Sequence, residues 1–278
     1  MTSSVLEGKK VLITGGSAGI GAALAVAMAQ AGAEVGICAR RADLLEKVAR
    51  TCRDQGGDAH SWVLDLSRLD GLEDFVRRAE DELGGIDMLV NNAGIPKRRA
   101  IARLTPAEVD LVMTVNYLAP VHLTLAVLPF MLERGQGRIF NVASVASRLG
   151  GSGESAYAAS KAALGVWSEA MAAELSPRGI VVQVVYPGPI DTDLVNAVGE
   201  DPPLAARAGI ARMPLPDAVA ALMSQIEDGS FERWVPEHFR EIYLNKVQDP
   251  EGAIANASTW FVELERQVDV ASSNGAPR

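Results

Sequence analysis

Short apolar runs alternate along this chain with longer stretches of helical periodicity, and that alternation restricts the fold more than any other feature. The runs "KVLITG" (10–15), "EVGICA" (34–39), "HSWVLDL" (60–66), "IDMLVNN" (86–92), "GRIFNVAS" (137–144) and "IVVQVVYPG" (180–188) read as strands. Between them lie "GAALAVAMAQAG", then "RADLLEKVARTCRDQGG", ending on Gly56 and Gly57, then "RLDGLEDFVRRAEDELGG", all of helical pattern. A longer helical region, about 105–133, opens on Thr105-Pro106-Ala107-Glu108, a capping box with proline at the first helical position. Helices are also expected over 154–176 and near 216–227, and a short strand "FERWVP" (231–236) follows the second of these.

Strands that are apolar on both faces need cover on both, which is the condition of strands in a parallel sheet with crossover helices. Right-handed crossovers then give an α/β fold: a Rossmann-like, doubly wound parallel sheet of about seven strands with helices on both faces. No linker-like segment precedes residue 190. A single domain over 1–278 is expected, with a core at 8–236, a C-terminal helical extension at 237–268 and a disordered tail at 269–278.

Composition narrows the function classes. The 278 residues carry a formal charge of -9, and an acidic chain is a poor partner for nucleic acid. Cys38 and Cys52 form no CxxC pair, and His60, His122 and His238 are scattered, so neither a disulfide framework nor a metal site is expected. The N-terminus "MTSSVLEGKKVLITGG" lacks the apolar segment of a signal peptide. No run of about 18 apolar residues points to a membrane span. A soluble, reducing, cytoplasmic setting is the expectation.

The loop "TGGSAGIG" (14–21) joins the first strand to the first helix. Gly15, Gly19 and Gly21 stand where a tight turn, a close phosphate approach and close helix packing are needed, and helix N-terminal amides there can bind a pyrophosphate. The spacing is G-x-x-x-G-x-G rather than G-x-G-x-x-G. An NAD site places an acid at the end of the second strand. Here Ala39 is followed by Arg40 and Arg41, and a guanidinium suits the 2′-phosphate of NADP, so NADPH is expected over NADH. Asp65, at the end of the third strand, is a candidate partner for the adenine amino group. "NNAG" (91–94) ends the fourth strand, also on the side where ligands bind. For Asn91 and Asn92 turn chemistry is an available role too.

Tyr157 and Lys161 stand four apart in "SAYAASKAALGVW", on one helix face. A free phenol is a poor acid or base at neutral pH, and a nearby ammonium should lower its pKa, making a tunable proton donor. Ser144 ends the fifth strand, thirteen residues before Tyr157, where its hydroxyl can hold a substrate carbonyl. Asn116 is polar inside the apolar stretch "VMTVNYLAPV". It can hold a water against the backbone and Lys161, or be a satisfied buried amide.

Together these motifs resemble the short-chain dehydrogenase/reductase family, of the single-domain, NADP-preferring type. "TGGSAGIG", "NNAG", Asn116, Ser144, "YAASK" and "YPGPIDT" stand in family order over roughly residues 8–195. The resemblance implies that Ser144, Tyr157 and Lys161 are catalytic, with Asn116 as a fourth member, and that Lys161 also holds the nicotinamide ribose. It implies cofactor contacts from Gly15, Ser17, Gly19, Ile20 and Gly21 on the loop, and from Arg40, Arg41, Asp65 and Leu66 after the second and third strands. Asn92, Ala93 and Gly94 follow the fourth, and Tyr157, Lys161, Pro187, Gly188, Ile190 and Thr192 complete the set. No metal is implied. The implied activity is hydride transfer between NADPH and a ketone or secondary alcohol, a small-molecule substrate. Two alternatives stay open: a 3-oxoacyl-thioester reductase, and a catalytically silent NADP-binding sensor or scaffold. Family pairing through the helices at 105–133 and 154–176 implies a homodimer or homotetramer.

The chain departs from the family after its last strand. Where many members have a glycine-rich segment, "FERWVPEHFREIYLNKV" follows, with Phe239, Ile242, Tyr243 and Val247 on one helix face. "STWFVELERQV" is a second helical candidate. A lid, a membrane-surface contact, a dimer surface and packing on its own domain all remain open for this extension. Lys97, Arg98 and Arg99 in "IPKRRAIARL" lie near the expected mouth of the site, either solvated or placed to attract an anionic substrate. Selectivity should come from 145–154 and from 189–214, where "GEDPPLAARAGIARMPLP" has the small residues and prolines of a mobile lid.

Overall fold

The computed structural model describes residues 4–192 and 211–273. Its centre is one parallel sheet of seven strands: β1 (Lys10–Thr14), β2 (Glu34–Ala39), β3 (Ala59–Val63), β4 (Met88–Asn91), β5 (Gly137–Val142), β6 (Ile180–Pro187) and β7 (Glu232–Val235). The spatial order is β3-β2-β1-β4-β5-β6-β7. β1 is paired with β2 on one side and β4 on the other, Val11 standing opposite Val35 and Met88. The chain winds outward both ways from this point, which opens a crevice at the carboxyl ends of β1 and β4.

Each strand feeds two apolar layers. Val11 and Ile13 join the layer under α1 (Gly19–Gln30) and α2 (Ala42–Asp54), while Leu12 between them joins the opposite one. The opposite layer lies under α3 (Leu72–Leu83) and two long helices described next.

The region expected as one helix over 105–133 is α4 (Pro106–Met113), a π-turn over Thr114–Leu118, and α5 (Ala119–Arg134). The capping box is present: Glu108 N donates to Thr105 Oγ1 and Thr105 N to Glu108 Oε2. The π-turn has a cause in the sequence. Pro120 has no N–H to give the Asn116 carbonyl four residues back, and the Ala119 N–H reaches past it to Thr114 O. Π-turns inside helices mark functional sites more often than chance. By length and hydropathy alone Pro106–Arg134 would fit a membrane span, which the sequence reading did not anticipate. Its buried stripe of Val115, Ala119, Leu123, Val127 and Met131 instead belongs to the core against the sheet.

After β5 comes a short helix, α6 (Ala146–Leu149), then α7 (Ser155–Leu175). A chain of buried amides and hydroxyls ties the two long helices to the sheet. Asn91 Nδ2 donates to Asn141 Oδ1 (2.9 Å) and to Thr124 Oγ1 (3.2 Å). Asn141 Nδ2 donates to Ser168 Oγ (2.8 Å), which donates to Leu164 O (2.7 Å).

β6 leads through residues outside the description to α8 (Leu215–Asp228), then β7, α9 (His238–Gln248) and α10 (Pro250–Ser273). The expected extension over 237–268 is helical, as two elements. α10 contains "STWFVELERQV" and runs to Ser273, into the segment expected to lack structure, whose residues 274–278 lie outside the description.

Candidate functional site

The glycine loop is latched to the end of β4. Thr14 Oγ1 accepts from both Asn92 N and Ala93 N, each at 3.1 Å, and Asn92 Nδ2 donates to Thr14 O (2.9 Å). This fit demands glycine at two positions. A Cβ on Gly15 (φ +70) would stand 2.8 Å from Ala93 Cα, and one on Gly21 would stand 2.3 Å from Asn92 Nδ2. Ala18 at the N-cap of α1 offers no side-chain acceptor and the first turn holds no acid. The first-turn amides are thus left for an external anion. Ile20 packs beside the core, and Thr192 Cγ2 lies 3.5 Å from where a Gly19 Cβ would be.

Beside the loop, Arg41 Nη2 donates to Ser17 Oγ (3.1 Å), and Arg40 is exposed at the end of β2. Asp65 stands two residues beyond β3 rather than on it. Hydrogen bonds from Ser67 N and Oγ hold its carboxyl below the usual range, with the Arg40 charge adding to them. Both of those bonds fall on Oδ1. The side chains of Leu66 and Ile190 are buried in the core, so only their backbones can serve the crevice.

Lys161 is 3% exposed and donates from Nζ to Val142 O at 2.7 Å. Burial pulls its pKa down to about 8. A Cβ on Gly94 would stand 3.4 Å from both Lys161 Nζ and Asn116 Oδ1, so the backbone there runs beside both polar groups. Tyr157, one turn earlier, is half-buried. Burial raises its pKa, a hydrogen bond with Ser144 opposes this, and the Glu154 and Arg98 charges pull in opposite directions. Lys161 is not among the groups that shift it, which corrects the expectation that the ammonium depresses the phenol. In the cofactor-free protein desolvation dominates both groups, disfavouring the phenolate and the ammonium alike.

Ser144 stands two residues beyond β5 rather than on it, its Oγ accepting from Ala146 N (3.2 Å) and donating to Pro187 O (3.5 Å). The Asn116 side chain is a satisfied buried amide: Oδ1 accepts from Ile95 N (2.8 Å), and Nδ2 donates to Ile95 O (3.1 Å) and Ser160 Oγ (3.0 Å). Its main-chain carbonyl is the one to which Pro120 has no N–H to give. Pro187 is the last residue of β6 and Gly188 follows it, with Gly188 N donating to Val235 O (2.7 Å).

Lys97, Arg98 and Arg99 are neither solvated nor free. Lys97 and Arg99 pair with Glu108, and Arg98 Nε lies 2.9 Å from Glu154 Oε1, all on half-buried side chains. Sequence reasoning missed Thr14, Val142, Ser160 and Glu154. Thr14 alone carried a signal, as a hydroxyl ending an apolar strand before the glycine loop. The lid expected over 189–214 falls mostly on 193–210, outside the described residues.

Comparison with known proteins agrees with this geometry. The sequence profile of the short chain dehydrogenase family matches residues 9–203. A short chain dehydrogenase of Pseudocercospora fijiensis is 35% identical over 230 residues, 80% of this chain and 74% of that protein. The 3-oxoacyl-[acyl-carrier-protein] reductase FabG of Vibrio cholerae is 37% identical over 206 residues, 74% of this chain and 83% of that protein. The solved structure of a short-chain dehydrogenase from Sphingobium yanoikuyae in complex with NADPH superposes with a TM-score of 0.74 at 30% identity, covering 89% of this chain and 95% of that one. With the glycine loop, the strand order and the profile match in agreement, the chain belongs to the short-chain dehydrogenase/reductase family.

Proposed function

We propose that this chain interconverts a ketone and a secondary alcohol with NADP as its cofactor, through Ser144, Tyr157 and Lys161. The observation that carries the reading is their convergence. A serine just beyond a strand end favours the ionised form of a half-buried phenol, and a buried lysine, with no acidic partner among the described residues, stands one turn along the same helix.

The residues fit a dinucleotide. The α1 amides suit its pyrophosphate, Arg40 and Arg41 suit a 2′-phosphate, and Lys161 Nζ keeps N–H donors beyond the one given to Val142 for ribose hydroxyls. Bound NADPH supplies the hydride and its oxidised form accepts one in the reverse direction. Ser144 Oγ holds the substrate oxygen, and Tyr157 Oη gives that oxygen its proton. Lys161 and a water on the Asn116 carbonyl form the route by which the phenol regains a proton. Asn116 also fixes Ile95, and hence the strap over 95–100, through its paired amide. Leu125 on α5 and Val166 on α7 are exposed apolar residues, in keeping with two copies pairing across these helices.

A 3-oxoacyl thioester as substrate is the second reading, favoured by the relatives named as 3-oxoacyl reductases. Loss of NADPH absorbance across small ketones, steroids and acyl thioesters tests both readings. Cofactor binding without turnover on any of them would favour a sensor. Cofactor choice has its own test. Arg40→Ala should raise KM for NADPH by about 10- to 100-fold, the worth of a charged hydrogen bond, and leave KM for NADH nearly unchanged. A wild type that prefers NADH would overturn the assignment.

A further inference from the structure

α9 grips both strand ends that flank the catalytic residues. Lys246 Nζ donates to Arg148 O (2.8 Å) and to Leu149 O (2.9 Å). These are the last two carbonyls of α6, which begins two residues after Ser144. So short a helix cannot satisfy its own carbonyls, and an ammonium at its C-terminus supplies donors and complements its dipole. Gly150, with φ +68, ends the turn, and a Cβ there would stand 3.5 Å from Lys246 Nζ.

Tyr243 of α9 also helps enclose the Arg148 side chain of α6, together with groups from β6 and α7. The Arg148 guanidinium donates to Tyr186 Oη (2.7 Å), pairs with Glu169, and lies 5.0 Å from the Tyr186 ring centre and 5.8 Å from that of Tyr243. Burial alone would lower its pKa, but the hydrogen bonds to Glu169 and Tyr186 win and keep it firmly charged. Trp234 stacks on Tyr243 at 5.5 Å and leans on Tyr186 at 5.0 Å, closing the cluster. At the other strand end Phe239 fills the space over Gly188, where a Cβ would stand 2.5 Å from Phe239 Cε2.

We propose that α9 is a positioning element for the carbonyl pocket and that Lys246 is its principal positioning residue. By fixing the two terminal carbonyls of α6, Lys246 fixes the turn over 145–150. That turn sets the Ser144 hydroxyl and the wall facing the substrate. Its hydrogen-bond partners are carbonyls of α6, none of them a residue assigned to the cofactor. This role presupposes that Ser144 and Tyr157 act on a carbonyl.

The test uses the full chain with ethyl acetoacetate as probe ketone, NADPH titration, and amide hydrogen exchange over 144–150. Lys246→Met keeps the stem and removes the donors. It should lower kcat/KM by about 10- to 100-fold, through kcat, while the NADPH Kd stays within about twofold. Exchange over 145–150 should quicken, and Lys246→Arg should restore most of the activity. Unchanged exchange with unchanged kcat/KM would overturn the role, as would a fall in NADPH affinity that accounts for the whole loss, or a loss that arginine does not rescue. Tyr157→Phe in the same assay separates the two ideas. If it is dead while Lys246→Met is unaffected, only the positioning role fails. If it is active, the catalytic reading fails, and exchange alone then decides whether Lys246 fixes the turn.

Discussion

Tyr157→Phe should abolish useful turnover and leave NADPH binding almost intact. In the proposed mechanism the phenolic proton is the one the substrate oxygen receives, and a positioned acid contributes about 10²–10⁴-fold. Phenylalanine fills the same space and removes only the hydroxyl. Fluorescence titration with NADPH should therefore give a Kd within about twofold of wild type while kcat collapses. The direction of the Ser144 effect supplies a companion measurement. Its hydrogen bond favours the phenolate, against the burial that disfavours it. Ser144→Ala should then move the pH profile of alcohol oxidation, which needs the phenolate as base, toward alkaline pH as well as lowering the rate. Retention of substantial activity in Tyr157→Phe would remove the tyrosine from the mechanism.

Lys161→Met should abolish turnover yet make the cofactor-free protein more stable, with a stability gain that depends on pH. Burial lowers the lysine pKa from 10.5 to about 8, so the folded state holds its proton less tightly than the unfolded state. Below about pH 8 the ammonium is buried at full cost, roughly 3 kcal/mol for a shift of this size. Between about pH 8 and 10.5 the folded protein has shed that proton while the unfolded chain keeps it, so wild-type stability gains with rising pH. Above that window the cost is gone. The difference between variant and wild type in urea melts should accordingly be largest at neutral pH and fade toward pH 10.5. Taking the difference cancels Cys38, whose thiol burial pushes up to about 12 and which acts in the opposite sense. A difference independent of pH would mean that Lys161 is not an isolated buried cation. Stability gained by deleting a strained functional group is a common trade.

Much of the fold was legible because the strands are apolar on both faces and punctuated by glycine, so period and length left little room for other architectures. The candidate site was legible where its residues fall near strand ends and on one helix face: the glycine loop, Ser144, and Tyr157 with Lys161. What escaped was set by partners distant in the chain. Lys97, Arg98 and Arg99 read as a basic loop because Glu108 and Glu154, which neutralise them, arrive from two other elements. Lys246 and Arg148 are 98 residues apart and carry no motif. The direction of the Tyr157 shift depends on how deeply the cleft desolvates the phenol, which spacing cannot encode. The π-turn at Asn116 was readable in principle, since Pro120 lies four residues on, but a strong apolar helical pattern concealed it.

The buried chain from Thr124 through Asn91 and Asn141 to Ser168 has a consequence for α7 that its modest energy does not suggest. Apolar side chains tolerate small slides and rotations, because one methyl group contacts a neighbour much as another does. Hydrogen bonds between amides and hydroxyls do not, and a displacement of one residue would strand several of them away from water. Ser168 lies about two turns beyond Lys161 on the same helix. The chain therefore acts as an indexing pin. It allows α7 one rotational setting against β5, and with that setting it aims the phenol and the ammonium at the crevice before any ligand arrives.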